Sequence, residues 1–377
     1  MGKNILIISS KSADFGGLEL HVLDLIKAFA DLNKVYVLCP NGSLVREYEK
    51  HGAVVYLKTP RNPYDFSFAV FVKNFCAKNK INVVHSHELI SALGLFGAFL
   101  ASVKIRIWHV HTPFLLWQHK NVFVKLLKST LNFLVNFVVA NFFATKVVAL
   151  TPQIKNHRLF CELVWYKKIV VIPNAVDVTK FIKEPLKSEI YAFKKLNNIP
   201  TNKIIIGNMS RTSAEKGQIY LLKAFNLLNK KFPNKYFLLI AGGGDLQSTL
   251  TQYANENFKN DYLITGKFKE ADKVLYLKVM DIIVFPSLAE GFGYVLVESM
   301  ASGRPVVSSN ISVLKYVGGS GVYYFKSKDY KNLYSVLQKV LFLSPAVLLK
   351  NKQLNITRAQ NFSFNNFKNS YSKLYQL

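Results

Sequence analysis

DIIVFPSLAEGFGYVLVESMASGRPVVSS, residues 281–309, decides the fold. The apolar run Ile282–Phe285 is stopped by Pro286 and Ser287, so it reads as a buried strand ending in a turn. A loop follows to Gly293, then a helical run from about Tyr294 to Ser302. Gly303 and Pro305 stop that run, and Val306-Val307 opens a second strand. This is a strand–helix–strand unit whose loop lies at the carboxyl end of a strand, where open α/β sheets place their ligands. Glu290 stands in the loop and Glu298 in the helix, in a Glu-x7-Glu spacing. Carboxylates accept hydrogen bonds from sugar or ribose hydroxyls. The backbone N–H groups of Gly291, Phe292 and Gly293, at the positive end of the helix, suit a diphosphate.

Two glutamates at that spacing are by themselves ordinary surface residues. The surrounding Pro-Ser, Glu-Gly-Phe-Gly and Ala-x-Gly-x-Pro-Val-Val context changes the reading. In that context the stretch resembles the signature of the retaining glycosyltransferases of family 4, the glycosyl transferases group 1, which have the two-domain GT-B architecture. The resemblance implies an α/β chain of two Rossmann-like, doubly wound domains facing across a cleft. It also implies a nucleotide-diphospho-sugar donor, with UDP as the expected nucleotide.

Composition is compatible with this. A chain of 377 residues, half of them hydrophobic, supports two α/β cores rather than one. Cys39, Cys76 and Cys161 are scattered and lack Cys-x-x-Cys spacing, which argues against a disulfide framework or a cysteine zinc site. The first apolar run, Ile5–Ile8, is too short for a signal peptide and reads as the opening strand. A formal charge of +27, from 49 Lys and Arg against 22 Asp and Glu, favours anionic partners. No acidic residue occurs between Leu89 and Cys161, a stretch carrying Lys104, Arg106, Lys120, Lys125, Lys128, Lys146, Lys155 and Arg158.

Along the first half, strands are expected at Lys3–Ile8, Val35–Cys39, Ala53–Leu57, Val83–Glu88, Ile105–Thr112, Lys146–Leu150 and Ile169–Ile172. Gly16-Gly17 precedes a helical pattern, Leu18–Phe29, and resembles the family's Gly-Gly-x-Glu loop, which implies that Gly17 approaches the donor diphosphate. Two His-x-His pairs, His85 with His87 and His109 with His111, share strand faces. They read as polar strand ends lining the cleft rather than as a metal site, since no cysteine or second acid joins them. His111, followed by Thr112-Pro113, falls where the family carries a histidine contacting the transferred sugar. Between Phe114 and Phe143, Asn121, Lys125, Lys128, Asn132 and Asn136 form a helical polar stripe in an otherwise apolar run. That pattern, with Trp117, Phe123 and Phe133 nearby, reads as a helix with one side in the core and one on lipid rather than a spanning helix.

Pro173-Asn174-Ala175-Val176-Asp177 resembles the family's hinge, with Ala175 in place of its glycine. Lys180–Pro200 reads as a linker. Three regions are therefore expected: residues 1–180 as the acceptor domain, 181–357 as the donor domain, and 358–377 as a closing helix returning to the first. In the second domain, Arg211 and Lys216 precede a helix beginning near Gln218 and form a candidate diphosphate clamp. The resemblance assigns Glu298 to the ribose and Glu290 to the donor sugar at the reaction centre. No Asp-x-Asp pair is present, so neither a metal nor another cofactor is expected at the diphosphate.

The chain reads as a metal-independent sugar transferase, working from the cytoplasm or its membrane face, on a lipid-linked or saccharide acceptor of surface polysaccharide or glycolipid assembly. An anionic membrane surface is an expected partner. Nucleic acid is not, for lack of a base-stacking surface or a groove-reading helix. The alternatives are a sugar-nucleotide epimerase on the same fold and a nucleic-acid-binding protein.

Overall fold

The structure is a computed structural model that describes residues 2–9, 13, 16–111, 122–258 and 260–377. Its contacts divide the chain into two units: Met1–Ala175 together with Phe364–Leu377, and Val176–Ser363.

The first unit is built on seven parallel strands: β1 (Asn4–Ser9), β2 (Lys34–Cys39), β3 (Ala53–Leu57), β4 (Val83–His87), β5 (Ile105–His109), β6 (Lys146–Ala149) and β7 (Ile169–Val171). Their order among the described residues is β3-β2-β1-β4-β5-β6-β7, so the winding reverses between β1 and β4. The apolar run of β1 is buried throughout from Ile5 to Ile8, as a parallel strand covered on both faces requires. Helix Gly17–Phe29 returns from β1 and presents Val22, Leu25, Ile26 and Phe29 to the core. Helix Phe364–Tyr375 packs into the same core through Phe367, Tyr371 and Tyr375. The Lys3 ammonium fastens its end by donating to the carbonyls of Tyr375 and Gln376.

The second unit holds β8 (Ile204–Met209), β9 (Tyr236–Ala241), β10 (Tyr262–Ile264), β11 (Ile282–Phe285), β12 (Val306–Ser309) and β13 (Tyr323–Phe325). The order is β10-β9-β8-β11-β12-β13, again parallel, with its reversal between β8 and β11. The segment read as a linker is instead helical over Val178–Ile182 and Lys187–Leu196. Phe193 of the latter helix is buried, edge-on against Tyr276. An apolar anchor inside a charged sequence is what turns this segment into folded structure.

Helix Val122–Val138 is continued by a wider turn through Phe143. Of its polar stripe, Asn132 and Asn136 point into the unit, Lys125 is half-buried and Lys128 is exposed. Tyr64 donates to Asn132 Oδ1 at 2.6 Å, the Trp108 indole donates to Asn136 Oδ1 at 3.1 Å, and Asn136 donates to Glu162 at 2.9 Å. The exposed side is apolar, with Val122, Phe123, Leu126, Leu127, Leu131 and Leu134 in solvent. Asn121, Lys120 and Trp117 lie outside the described residues, as do Thr112 and Pro113. The basic surface is also thinner than the sequence suggests. Arg158 is wholly buried, bonded to Glu162 at 2.6 Å and to the Val110 carbonyl at 2.6 Å. Arg106 is turned onto the carbonyls of Phe143 and Val103.

Candidate active site

In the second unit, the loops following β8 and β11 meet at the strand-order reversal, the position at which open α/β sheets bind ligands. The backbone N–H groups of Leu288 and Ala289 donate to the Glu215 carbonyl at 2.8 and 3.4 Å, lacing the two loops together. Gly217 makes this approach possible. Its φ of +64° lies in the left-handed region, and a Cβ there would collide with the Pro286 carbonyl. The lacing brings Lys216 Nζ to 2.7 Å from Glu290 Oε1, which also accepts from the Ser287 hydroxyl at 2.9 Å. The Ser309 hydroxyl on neighbouring β12 donates to the Ser287 carbonyl at 2.5 Å and fixes the base of the loop.

Arg211 stands more in the open, its guanidinium 2.8 Å from Glu215. Burial works against the Glu215 charge, but donors from Ser213, the backbone and Arg211 prevail and hold its carboxyl down at about 2. Gln218 donates to the Arg211 carbonyl and to Ser210, which steadies the loop's backbone. Gly293 starts helix Tyr294–Ala301 with φ of +95°, a conformation open to glycine and costly for other residues. Helix geometry leaves the first N–H groups of such a helix without intrahelical acceptors, although Leu296 N–H already donates to the Gly293 carbonyl at 3.0 Å. Phe292 is buried, with its ring edge-on to Tyr294 and Phe362, so its backbone is the part available to a ligand.

Glu298 lies on the same helix but in a different environment. It is buried, Oε1 accepts from Lys273 Nζ at 2.6 Å, and Oε2 has no partner. Burial opposes the Lys273 charge, but the Glu298 and Glu270 carboxylates outweigh it and hold the ammonium above its ordinary range. Burial in turn pushes the Glu298 carboxyl above its ordinary range against the pull of the Lys273 charge, and its unpartnered Oε2 is the atom left for a hydroxyl. The sequence reading did not single out Lys273 or Glu215, and it took Ser287 only as a strand stop in the signature. Lys273 and Ser287 gain their roles when the fold sets them beside Glu298 and Glu290.

Gly17 and His111 belong to the first unit. Gly17 opens helix Gly17–Phe29 after β1, and His111 follows β5. The His111 backbone N–H donates to Glu88 Oε1 at 3.3 Å, and its Nε2 lies 3.1 Å from His87 Nδ1. Glu88 itself has φ of +63°, a strained conformation of the kind that collects at functional sites. His87 and His109 end β4 and β5, but with His85 they are fully buried rather than open to solvent; Tyr375 lies against His85 and Tyr371 against His109. Burial drives His21 down to about 3 and the other three well below the ordinary imidazole value, so these rings are neutral.

Two parallel sheets of this order, each with its reversal beside the first strand of its unit, are those of the GT-B architecture. Known proteins agree. A family model described as "Glycosyltransferase Family 4" matches residues 15–180, and one described as "Glycosyl transferases group 1" matches residues 190–353. The Staphylococcus aureus capsular polysaccharide biosynthesis glycosyltransferase CapH is 27% identical over 358 residues, 93% of this chain and 90% of that protein. The Escherichia coli UDP-Gal:alpha-D-GlcNAc-diphosphoundecaprenol alpha-1,3-galactosyltransferase is 26% identical over 79% of this chain and 70% of its own length. Among solved structures, Anabaena Alr3699/HepE in complex with UDP superposes over 100% of both chains, with a TM-score of 0.84 and 19% identity. The chain belongs to the group-1 glycosyltransferases of family 4.

Proposed function

We propose that the chain moves a sugar from a UDP-sugar to a lipid-linked saccharide acceptor, with retention of anomeric configuration and without a metal at the diphosphate. The observation that carries this is the Lys216–Glu290 pair at 2.7 Å beside the start of helix Tyr294–Ala301. In transfer, the bond from the anomeric carbon to the β-phosphate oxygen breaks, and the acceptor oxygen bonds to the same face of that carbon. The acceptor's proton passes to the departing phosphate. Charge accumulates on that phosphate, and Lys216, Arg211 and the N–H groups from Gly291 to Gly293 are the donors that stabilise it. Within the second unit Glu290 is assigned to the transferred sugar and Glu298 to the ribose; in the first unit the family resemblance assigns His111 to the sugar and Gly17 to the diphosphate. The name of the E. coli relative, which specifies UDP-galactose and a diphosphoundecaprenol acceptor, supports the donor and acceptor classes.

The division of labour between the glutamates is testable. Glu298→Gln is expected to weaken UDP binding by about 10- to 100-fold, the range for a hydrogen bond to a charged group. Glu290→Gln is expected to lower turnover with little change in UDP affinity. Calorimetry with UDP and initial rates with the UDP-sugar separate the two; equal loss of affinity in both variants would refute the assignment.

The acceptor class also implies a membrane, and the outward face of helix Val122–Val138 supports one. By length and composition Val122–Phe143 is long and apolar enough to cross a membrane. Its inward residues Asn132 and Asn136 are engaged by protein, so we place it flat in the cytoplasmic interface with Phe123, Leu127 and Leu134 immersed and Lys128 at the edge. Each immersed side chain contributes about 1.5–3 kcal/mol. Phe123→Ser, Leu127→Ser and Leu134→Ser together should abolish co-sedimentation with anionic vesicles. Undiminished recovery of the triple variant would remove this helix from membrane attachment.

A further inference from the structure

Beneath helix Phe364–Tyr375, four imidazoles from three elements of the first unit converge. His85 and His87 come from β4, His109 from β5 and His21 from helix Gly17–Phe29. One ring nitrogen from each lies within 4.8 Å of the others. The strand-borne rings stack, with centroids 4.3 Å apart for His85 and His87 and 5.5 Å for His85 and His109. His21 stands edge-on to them, 4.7 Å from His109.

The hydrogen bonds around this group are arranged from the outside. Tyr375 lies 2.6 Å from His85 Nδ1, His111 lies 3.1 Å from His87 Nδ1, and Asn174 lies 2.8 Å from His21 Nδ1. The Tyr371 hydroxyl lies 3.3 Å from His21 Nε2 and 3.5 Å from His109 Nδ1, so His21 would exchange Tyr371 for an ion. The opposite nitrogens, Nε2 of His85, His87 and His109, are buried and have no partner. Unpaired buried ring nitrogens are unfavourable, and three in one place call for a common partner. A metal-ligating histidine has this same form: one nitrogen held by an outer hydrogen bond, the other directed at the ion.

We propose that this chamber binds one divalent transition cation of the Zn²⁺ class through the Nε2 atoms of His85, His87 and His109, with His21 as a fourth ligand. An all-imidazole donor set suits Zn²⁺, Ni²⁺ or Cu²⁺ and disfavours Mg²⁺ and Ca²⁺, which require oxygen. Tetrahedral coordination at about 2.1 Å sets nitrogens about 3.4 Å apart, so binding draws the widest pair of ring nitrogens together by about 1.4 Å and turns the stacked rings toward the ion. The ion braces β4, β5 and helix Gly17–Phe29 to one another. Through His87 it also fixes the orientation of His111. The site is independent of the diphosphate chemistry of the second unit.

The test uses full-length protein stripped with EDTA, freed of chelator, and titrated with Co²⁺. The expected result is one Co²⁺ per chain, with visible d–d bands of nitrogen coordination. Excess Zn²⁺ should raise Tm by on the order of 5 °C. His85→Asn with His109→Asn should lose both responses while UDP binding in the second unit persists. Should that double variant not fold, His21→Gln is the reporter, expected to keep the fold and alter the Co²⁺ spectrum. Absence of saturable Co²⁺ bands in the folded wild type would overturn the proposal in favour of a water-filled chamber. Unchanged spectra in the folded variants would overturn it in favour of surface sites.

Discussion

Replacing Lys216 by alanine is expected to lower the rate of sugar transfer by about 10²–10³, the loss that accompanies removal of one preorganised donor at a developing negative charge. Lys216 is held in place before any ligand arrives, by Glu290 at 2.7 Å and by the Gly217 turn against Pro286. Its charge therefore acts without reorganisation when the phosphate departs. Arg211, bonded to Glu215 and largely exposed, should contribute less, because water screens it and the side chain must be ordered first. Initial rates for the two variants decide the order. Unaltered kinetics for Lys216→Ala would reduce the Lys216–Glu290 contact to a structural ion pair.

Breaking the buried pair of the first unit should have the largest effect on stability. Glu162→Gln leaves the Arg158 guanidinium buried without its carboxylate, and removal of one partner from such a pair costs about 3–5 kcal/mol. The pair also ties neighbouring elements together, since Arg158 holds the Val110 carbonyl just before His111, and Glu162 holds Asn136 on the apolar-faced helix. Denaturant unfolding of Glu162→Gln should show the first unit opening early. The double variant Arg158→Met with Glu162→Leu should be less destabilised than Glu162→Gln, because no unpaired charge remains. A single variant as stable as wild type would contradict the arrangement.

Much of the frame was legible from local signals. The strand Ile282–Phe285 has the bounds expected of it, because Asp281 and Pro286 bracket an apolar run with charge and a turn. Lys216 and Glu290 could each be named from motif context. Their contact could not, since it depends on two loops 74 residues apart meeting at a strand-order reversal. The polar stripe of Lys125, Lys128, Asn132 and Asn136 was visible as periodicity, but its facing was not. Trp108, Tyr64 and Glu162, which draw Asn132 and Asn136 inward, are all distant in sequence. Likewise, the place of Arg158 among the basic residues of the acid-free stretch did not show that Glu162, four residues beyond it and just past that stretch, buries it as an ion pair. His21 shows the same limit. As one polar residue in an amphipathic helix it carries no sign of the three strand histidines it meets.

The central claim is that the second unit's Lys216 and Glu298 form a nucleoside-diphosphate site, with Glu290 beside it for the sugar. Calorimetric titration of UDP into wild type, Lys216→Ala and Glu298→Gln tests it most directly. Saturable binding of one UDP per chain, weakened at least tenfold in both variants while their melting curves stay those of a folded protein, is the predicted result. No UDP binding to the folded wild type, or the same affinity in all three, would contradict it.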